Sequence, residues 1–178
     1  KVVVEILEYP TRIRMCKGKI CEVLGDAGDL KVSTLSVVRS FNLIETFHEE
    51  VEKEAKKVAT EITEKDLKGR KDFRKDLTIT IDGEDARDFD DAISVEKTEK
   101  GYTLDVHIAD VSNYVTENSP LDKSAYKRGT SVYFPNMVIP MLPKELSNGI
   151  CSLNEGEDRF ALSVIMKIDK TGKVIDSN

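Results

Sequence analysis

Six of the ten residues over 82–91 (Asp-Gly-Glu-Asp-Ala-Arg-Asp-Phe-Asp-Asp) are acidic, where a chain with 33 acids in 178 residues would place about two. Carboxylates gathered this densely repel one another and raise each other's pKa, so a fold that assembles them without a cation loses stability. Hard oxygen donors of this kind suit Mg2+ or Mn2+. The spacing predicts that Asp82 closes a strand on its polar face, that Gly83 permits a tight turn, and that Asp88, Asp90 and Asp91 return to the same neighbourhood. In an extended segment Asp88 and Asp90 share a face, and Asp91 takes the other unless the backbone turns. Four carboxylates from a strand end and an adjacent loop can hold two divalent ions about 4 Å apart, which stabilises both the attacking and the leaving oxygen of a phosphodiester. Arg87, inside the run, either braces these carboxylates or meets a phosphate.

Other readings of the run fare less well. An acidic surface loop gives the same composition, but such loops seldom sit hard between apolar strand segments. An EF-hand needs acids at positions 1, 3 and 5, Gly at 6 and Glu at 12, and no register satisfies that. Asp88-Phe89-Asp90 has the form of an aspartyl-phosphate nucleophile, yet no apolar strand leads into Asp88. Only His48 and His107 are present, which leaves little for a histidine-based nuclease or zinc hydrolase.

The acidic run must be positioned by the elements around it. Leu77, Ile79 and Ile81 alternate with polar residues as a strand would. Ala92–Val95 and Tyr102–Ile108 predict a hairpin around Lys100-Gly101, with Tyr102, Leu104, Val106 and Ile108 on one side. Ser119-Pro120 before residues 121–128, with Gly129 after them, predicts a capped helix. Residues 134–143 read as loop, and 162–168 as a closing strand. Upstream, residues 2–7, 18–24 and 30–38 read as β segments separated by Pro10 and a turn at 25–28. Ile44, Phe47, Val51, Ala55, Val58 and Ile62 recur at steps of three and four, which predicts an amphipathic helix, with Asn42 and Glu45 as a capping pair. It packs on the sheet or, less simply, serves a partner. Residues 63–76 carry both charge signs without period and read as a surface connector, although their basic residues could touch phosphates.

The net charge of -6 at first sight excludes a protein held to nucleic acid by bulk positive charge. It is local: the run over 82–91 holds six acids and one Arg, and the rest of the chain 27 acids and 26 bases. No apolar stretch approaches the roughly 20 residues of a membrane span, and no signal peptide opens the chain. The expectation is a soluble cytoplasmic protein with no membrane partner. Cys16, Cys21 and Cys151 are spaced for neither a disulfide framework nor a zinc site, which predicts buried free thiols. Lys1 followed at once by an apolar run suggests a fragment of a longer protein.

Five segments then carry a resemblance: residues 80–92, Ile108-Ala-Asp-Val-Ser112, Arg128-Gly-Thr-Ser-Val-Tyr-Phe-Pro135, Pro140-Met-Leu-Pro143 and Leu146-Ser-Asn-Gly-Ile-Cys-Ser-Leu-Asn154. In this order they resemble the opening of the catalytic RNB domain of the ribonuclease II family, of its ribonuclease R type. Residues 1–62 are similar, more weakly, to the end of a cold-shock (OB-type) domain and its helical connector. The resemblance implies an α+β architecture: a partial OB-like β unit over 1–41, a helix and charged connector over 42–76, and the first part of an RNB catalytic domain over 77–178. It implies a processive, divalent-metal-dependent exoribonuclease that works from single-stranded RNA 3′ ends and releases nucleoside 5′-monophosphates. It assigns Asp82, Asp88, Asp90 and Asp91 to the metals (Mg2+, or Mn2+), with Asp90 indispensable to cleavage. Tyr133 becomes the aromatic that stacks on the terminal nucleotide; without the resemblance it reads as a half-buried strand residue. The family completes its site with an Arg and a Glu farther downstream, so these 178 residues alone are expected to show little or no activity. A single-stranded RNA-binding module with an idle acidic loop is the competing expectation.

Overall fold

The computed structural model describes residues 1–60 and 62–178; residue 61, within the connector expected over 42–76, lies outside the described residues. The chain divides into two compact units: Lys1–Thr46 with Arg128–Met141, and Phe47–Lys127 with Leu142–Asn178. The mixed α and β content follows the expected class.

In the first unit, Val2–Glu8 (β1) and Lys17–Val23 (β2) pair antiparallel with Val2 opposite Val23. Leu30–Ser40 (α1) is a helix, where a third β segment was expected over 30–38. The deciding residue is Asp29, whose carboxylate accepts from the Lys31 N–H at 2.7 Å and caps the first turn. That cap outweighs the β-branched content, and Val32 and Val38 are then buried on one side. Arg39 in the last turn donates to Glu22 at 2.7 Å and to Glu45. Val132–Phe134 (β6) and Met137–Ile139 (β7) form a small hairpin inside a segment expected to be loop. Thr34 in α1 donates to the Asn136 side chain at its tip, 3.0 Å away.

The second unit is built on a five-stranded antiparallel sheet, in the order β3-β4-β5-β8-β9: Thr78–Ile79, Asp91–Thr98, Gly101–Ala109, Ala161–Asp169 and Val174–Ser177. The expected hairpin is β4–β5, in register from Asp91 opposite Ile108 to Thr98 opposite Gly101. Tyr102, Leu104, Val106 and Ile108 do share a face, but Ala92, Asp105, His107 and Ala109 on the opposite face are the buried ones. Phe73, from the charged connector, covers that side with its ring 5.0 Å from His107. Alternation decides which side chains share a face; only the packing elements decide which face is covered.

Glu49–Val58 (α2) is shorter than its periodicity suggested. Asn42 adopts a left-handed φ of 52°, so the chain cannot enter a helix there, and His48 takes the cap position without a side-chain bond. Val51 and Ala55 are buried as expected. Pro120–Arg128 (α3) starts as the sequence predicts, with Ser119 accepting from Asp122 N–H at 3.2 Å. Glu54 of α2 accepts from Leu121 N–H at 2.7 Å and satisfies a second exposed amide of that turn. Gly129 stops the helix with φ 75°. A wide, π-type helical turn over Glu145–Ile150 leads to the buried pair Cys151 and Ser152. Cys16, in the loop just before β2, and Cys21, in β2, are exposed, so the expectation of buried thiols holds for Cys151 alone.

Candidate active site

The acidic run occupies the loop between β3 and β4. The strand that Asp82 was expected to close ends at Ile79, because β4 supplies only two partners, Ser94 opposite Thr78 and Ile93 opposite Ile79. Asp82 therefore stands in the loop, where a turn closed by Ala86 N–H on the Gly83 carbonyl (3.0 Å) reverses the chain. From there the backbone is tied down. Leu153 N–H donates to the Phe89 carbonyl and Ala109 N–H to the Asp90 carbonyl, each at 2.9 Å. Asp91 is the first residue of β4, opposite Ile108.

Asp90 shows that the carboxylates act on one another. Part of its surface reaches solvent, yet burial of the remainder, then the charges of Asp88, Asp91 and Asp82, push its pKa above the usual carboxylate range. All four predicted residues thus share one negative field. Among the described residues, no three carboxylates are gathered closely enough to grip a single ion. The fit to divalent metal lies in the donor set: four hard oxygen donors within ten residues, whose mutual repulsion a cation would relieve.

Arg87 is exposed on this loop. Tyr133 is 63% exposed in β6, opposite Val138, rather than half-buried. It belongs to the first unit and the aspartates to the second.

The connector also differs from a merely solvated strap. Arg70 donates to the buried carboxylate of Asp110 at 2.9 Å and lies 3.9 Å from the Phe160 ring centroid. Arg74 pairs with Asp72 at 2.8 Å and Asp158 at 3.0 Å. Two of the basic residues that could have met phosphates are thereby engaged within the fold. Asp110 had no assigned role in the sequence; an acid directly after an apolar strand is the signal that could have marked it. Open space lies between this connector and the 153–165 segment, lined by Arg70, Phe73, Phe89, His107 and Ser163 among others.

Residues 70–178 match the RNB domain model and residues 1–48 a cold shock domain model. The chain is 54% identical over 98% of its length to ribonuclease R of Thermotoga maritima, covering 25% of that protein. It superposes with a TM-score of 0.90 on Mycoplasma genitalium RNase R in complex with double-stranded RNA, at 31% identity over 99% of this chain and 32% of that one. The same enzyme in complex with ribose methylated single-stranded RNA matches equally, TM-score 0.90, over 28% of its chain. The chain spans about a quarter of the length of the curated relatives it matches. With its RNB match covering more than half of it, the chain belongs to the RNB-domain family.

Proposed function

We propose that this protein is a 3′-to-5′ exoribonuclease of the ribonuclease R type: a processive, divalent-metal-dependent hydrolase that acts on single-stranded RNA 3′ ends and releases nucleoside 5′-monophosphates. The observation that carries the reading is the crowding of four aspartates on one tethered loop of an RNB domain, where burial and then the charges of Asp88, Asp91 and Asp82 raise the pKa of Asp90. Such crowding is costly unless a cation is bound in the working state. Asp82, Asp88, Asp90 and Asp91 would hold Mg2+ or Mn2+. The bound ions would supply Lewis-acid stabilisation of the phosphodiester and a water of lowered pKa.

The chain's own residues do the rest. The tethered backbone from Phe89 to Asp91 holds the carboxylates on a fixed base. Arg87 offers a cation to the RNA backbone, and Tyr133 an exposed ring on which any base can stack. A cytoplasmic location belongs to the same proposal.

The test is a 5′-labelled single-stranded RNA incubated with the full-length protein and Mg2+ or Mn2+. Stepwise loss of nucleotides from the 3′ end and release of 5′-mononucleotides are expected, with chelation stopping both. Asp90→Asn should remove hydrolysis while leaving RNA binding nearly intact; undiminished turnover by that variant refutes the reading. The second reading, a single-stranded RNA-binding module without catalysis, draws on the cold shock match over residues 1–48 and the basic residues Arg12, Arg14, Lys17 and Lys19 around β2. It requires binding without any metal-dependent shortening of the RNA.

A further inference from the structure

Ser152 is completely buried, and the chemistry above makes no use of it. Its hydroxyl oxygen accepts from the Phe89 N–H at 3.0 Å and donates to the Arg87 carbonyl at 3.1 Å. The Asn154 side-chain oxygen, 3.2 Å away, is a second acceptor within reach of the same proton. One hydroxyl therefore brackets Asp88, taking the main-chain group on either side of it. A serine hydroxyl carries one donor and two acceptor sites and can serve both at once.

The serine is itself held. Its carbonyl accepts from Arg159 Nε and from Asn154 N–H, both at 2.8 Å, and its N–H donates to Gly149 at 3.0 Å. The neighbouring Leu153 N–H takes the Phe89 carbonyl at 2.9 Å. Ser152 and Leu153 thus present a short, rigid polar edge to residues 87–89. The loop on the other side carries four like charges that repel, and these main-chain ties oppose that repulsion.

We propose that Ser152 is a positioning residue of the acidic site: its hydroxyl fixes the backbone on both sides of Asp88 and so sets where the Asp88 and Asp90 carboxylates stand. The proposal rests on the reading of these aspartates as metal-holding. Replacement by Ala leaves the Phe89 amide and the Arg87 carbonyl to seek water, which requires the loop to move. Supporting residues of this kind typically cost about 10–100-fold in metal affinity or activity when removed.

The experiment compares full-length wild type, Ser152→Ala and Ser152→Thr. Mn2+ binding is measured by calorimetry, kcat and KM on a single-stranded RNA, and amide hydrogen exchange across residues 85–91. The expected result for Ser152→Ala is roughly 10–100-fold weaker Mn2+ binding and a similar loss in kcat. KM should be unchanged, and faster exchange confined to the 85–91 segment while β5 and β8 keep wild-type protection. Thr, which retains the hydroxyl, should restore a large part of the loss. Mn2+ affinity and kcat within twofold of wild type in Ser152→Ala would overturn the proposal. Should the variants fail to fold, the wild type decides: rapid exchange of the Phe89 amide, as in an open loop, overturns it, and slow exchange supports it. If wild type binds no Mn2+, the metal reading fails separately, and the kcat and exchange comparisons still rule on Ser152.

Discussion

Arg70 and Asp110 form an ion pair of 2.9 Å across 40 residues of sequence, with the carboxylate only 7% exposed and the guanidinium 32% exposed. The pair joins the charged connector to the end of β5, just beyond Ala109, whose N–H holds the Asp90 carbonyl. Burial works to raise the Asp110 pKa, but hydrogen bonds from Ser112 and Arg70 outweigh it and hold the carboxyl below its ordinary value.

This pair gives the first prediction. A folded-state pKa below the unfolded one means the contribution is present above about pH 4 and is lost as pH falls through the lower, folded value. Arg70→Ala should destabilise the protein by about 1–3 kcal/mol at neutral pH, since one partner is buried and the other partly screened. The difference from wild type should shrink steadily below pH 4. Denaturant titrations at pH 7 and pH 3 check this; an equal difference at both would refute the charge account.

Asp90 predicts the opposite sign. Its raised pKa means that folding favours the protonated form, so the ionised carboxylate is a liability at neutral pH. In chelator at pH 7, Asp90→Asn should melt higher than wild type. The gap should close as pH falls through the folded pKa of Asp90, which lies above the ordinary value near 3.9. Saturating Mn2+ should reverse the order, because only wild type then gains fully from ion binding. The same variant should lose at least about a hundredfold in turnover, the effect of several kcal/mol of lost metal stabilisation. A lower melting point in chelator would contradict the crowding.

Cys151 should be inert. Burial, followed by the charge of Asp90, pushes its pKa up to about 12, whereas Cys16 and Cys21 are exposed. Nucleophilic attack requires thiolate. A disulfide reagent at pH 8 should therefore label Cys16 and Cys21 rapidly and Cys151 only with denaturant. Mass spectrometry of the labelled peptides distinguishes them, and early modification of Cys151 would disprove the packing around it.

Gly101 should tolerate no side chain. A Cβ there would overlap the Ile168 carbonyl oxygen and stand 2.8 Å from the Asp169 Cα, both in the adjacent β8. Gly101→Ala should cost about 1–3 kcal/mol, the usual range for overpacking, measured as a fall in denaturant midpoint. A midpoint equal to wild type would mean that β5 and β8 are not paired in this register.

Much of the candidate site was legible in the sequence. The four aspartates, Arg87 and the β4–β5 hairpin follow from residue type and spacing, because acidic density, two-residue alternation and turn glycine act over a few neighbours. The same holds for α3, whose Ser119 and Gly129 ends are local devices. Local rules misled where two were in competition. Leu30–Ser40 reads as β by its branched residues, yet the Asp29 cap makes it a helix. The left-handed backbone at Asn42 cuts short a periodicity that looked continuous.

What sequence determined on its own was the identity of the charged groups and the short elements that carry them. Tertiary structure alone decided which face of the sheet is covered, that Asp82 stands beyond the end of β3, and that Ser152 grips residues 87 and 89 from more than 60 positions away. The physical reason is range. Capping, alternation and like-charge repulsion are set by adjacent residues, whereas a buried hydroxyl acquires its partners only when distant segments of the chain pack together and exclude water.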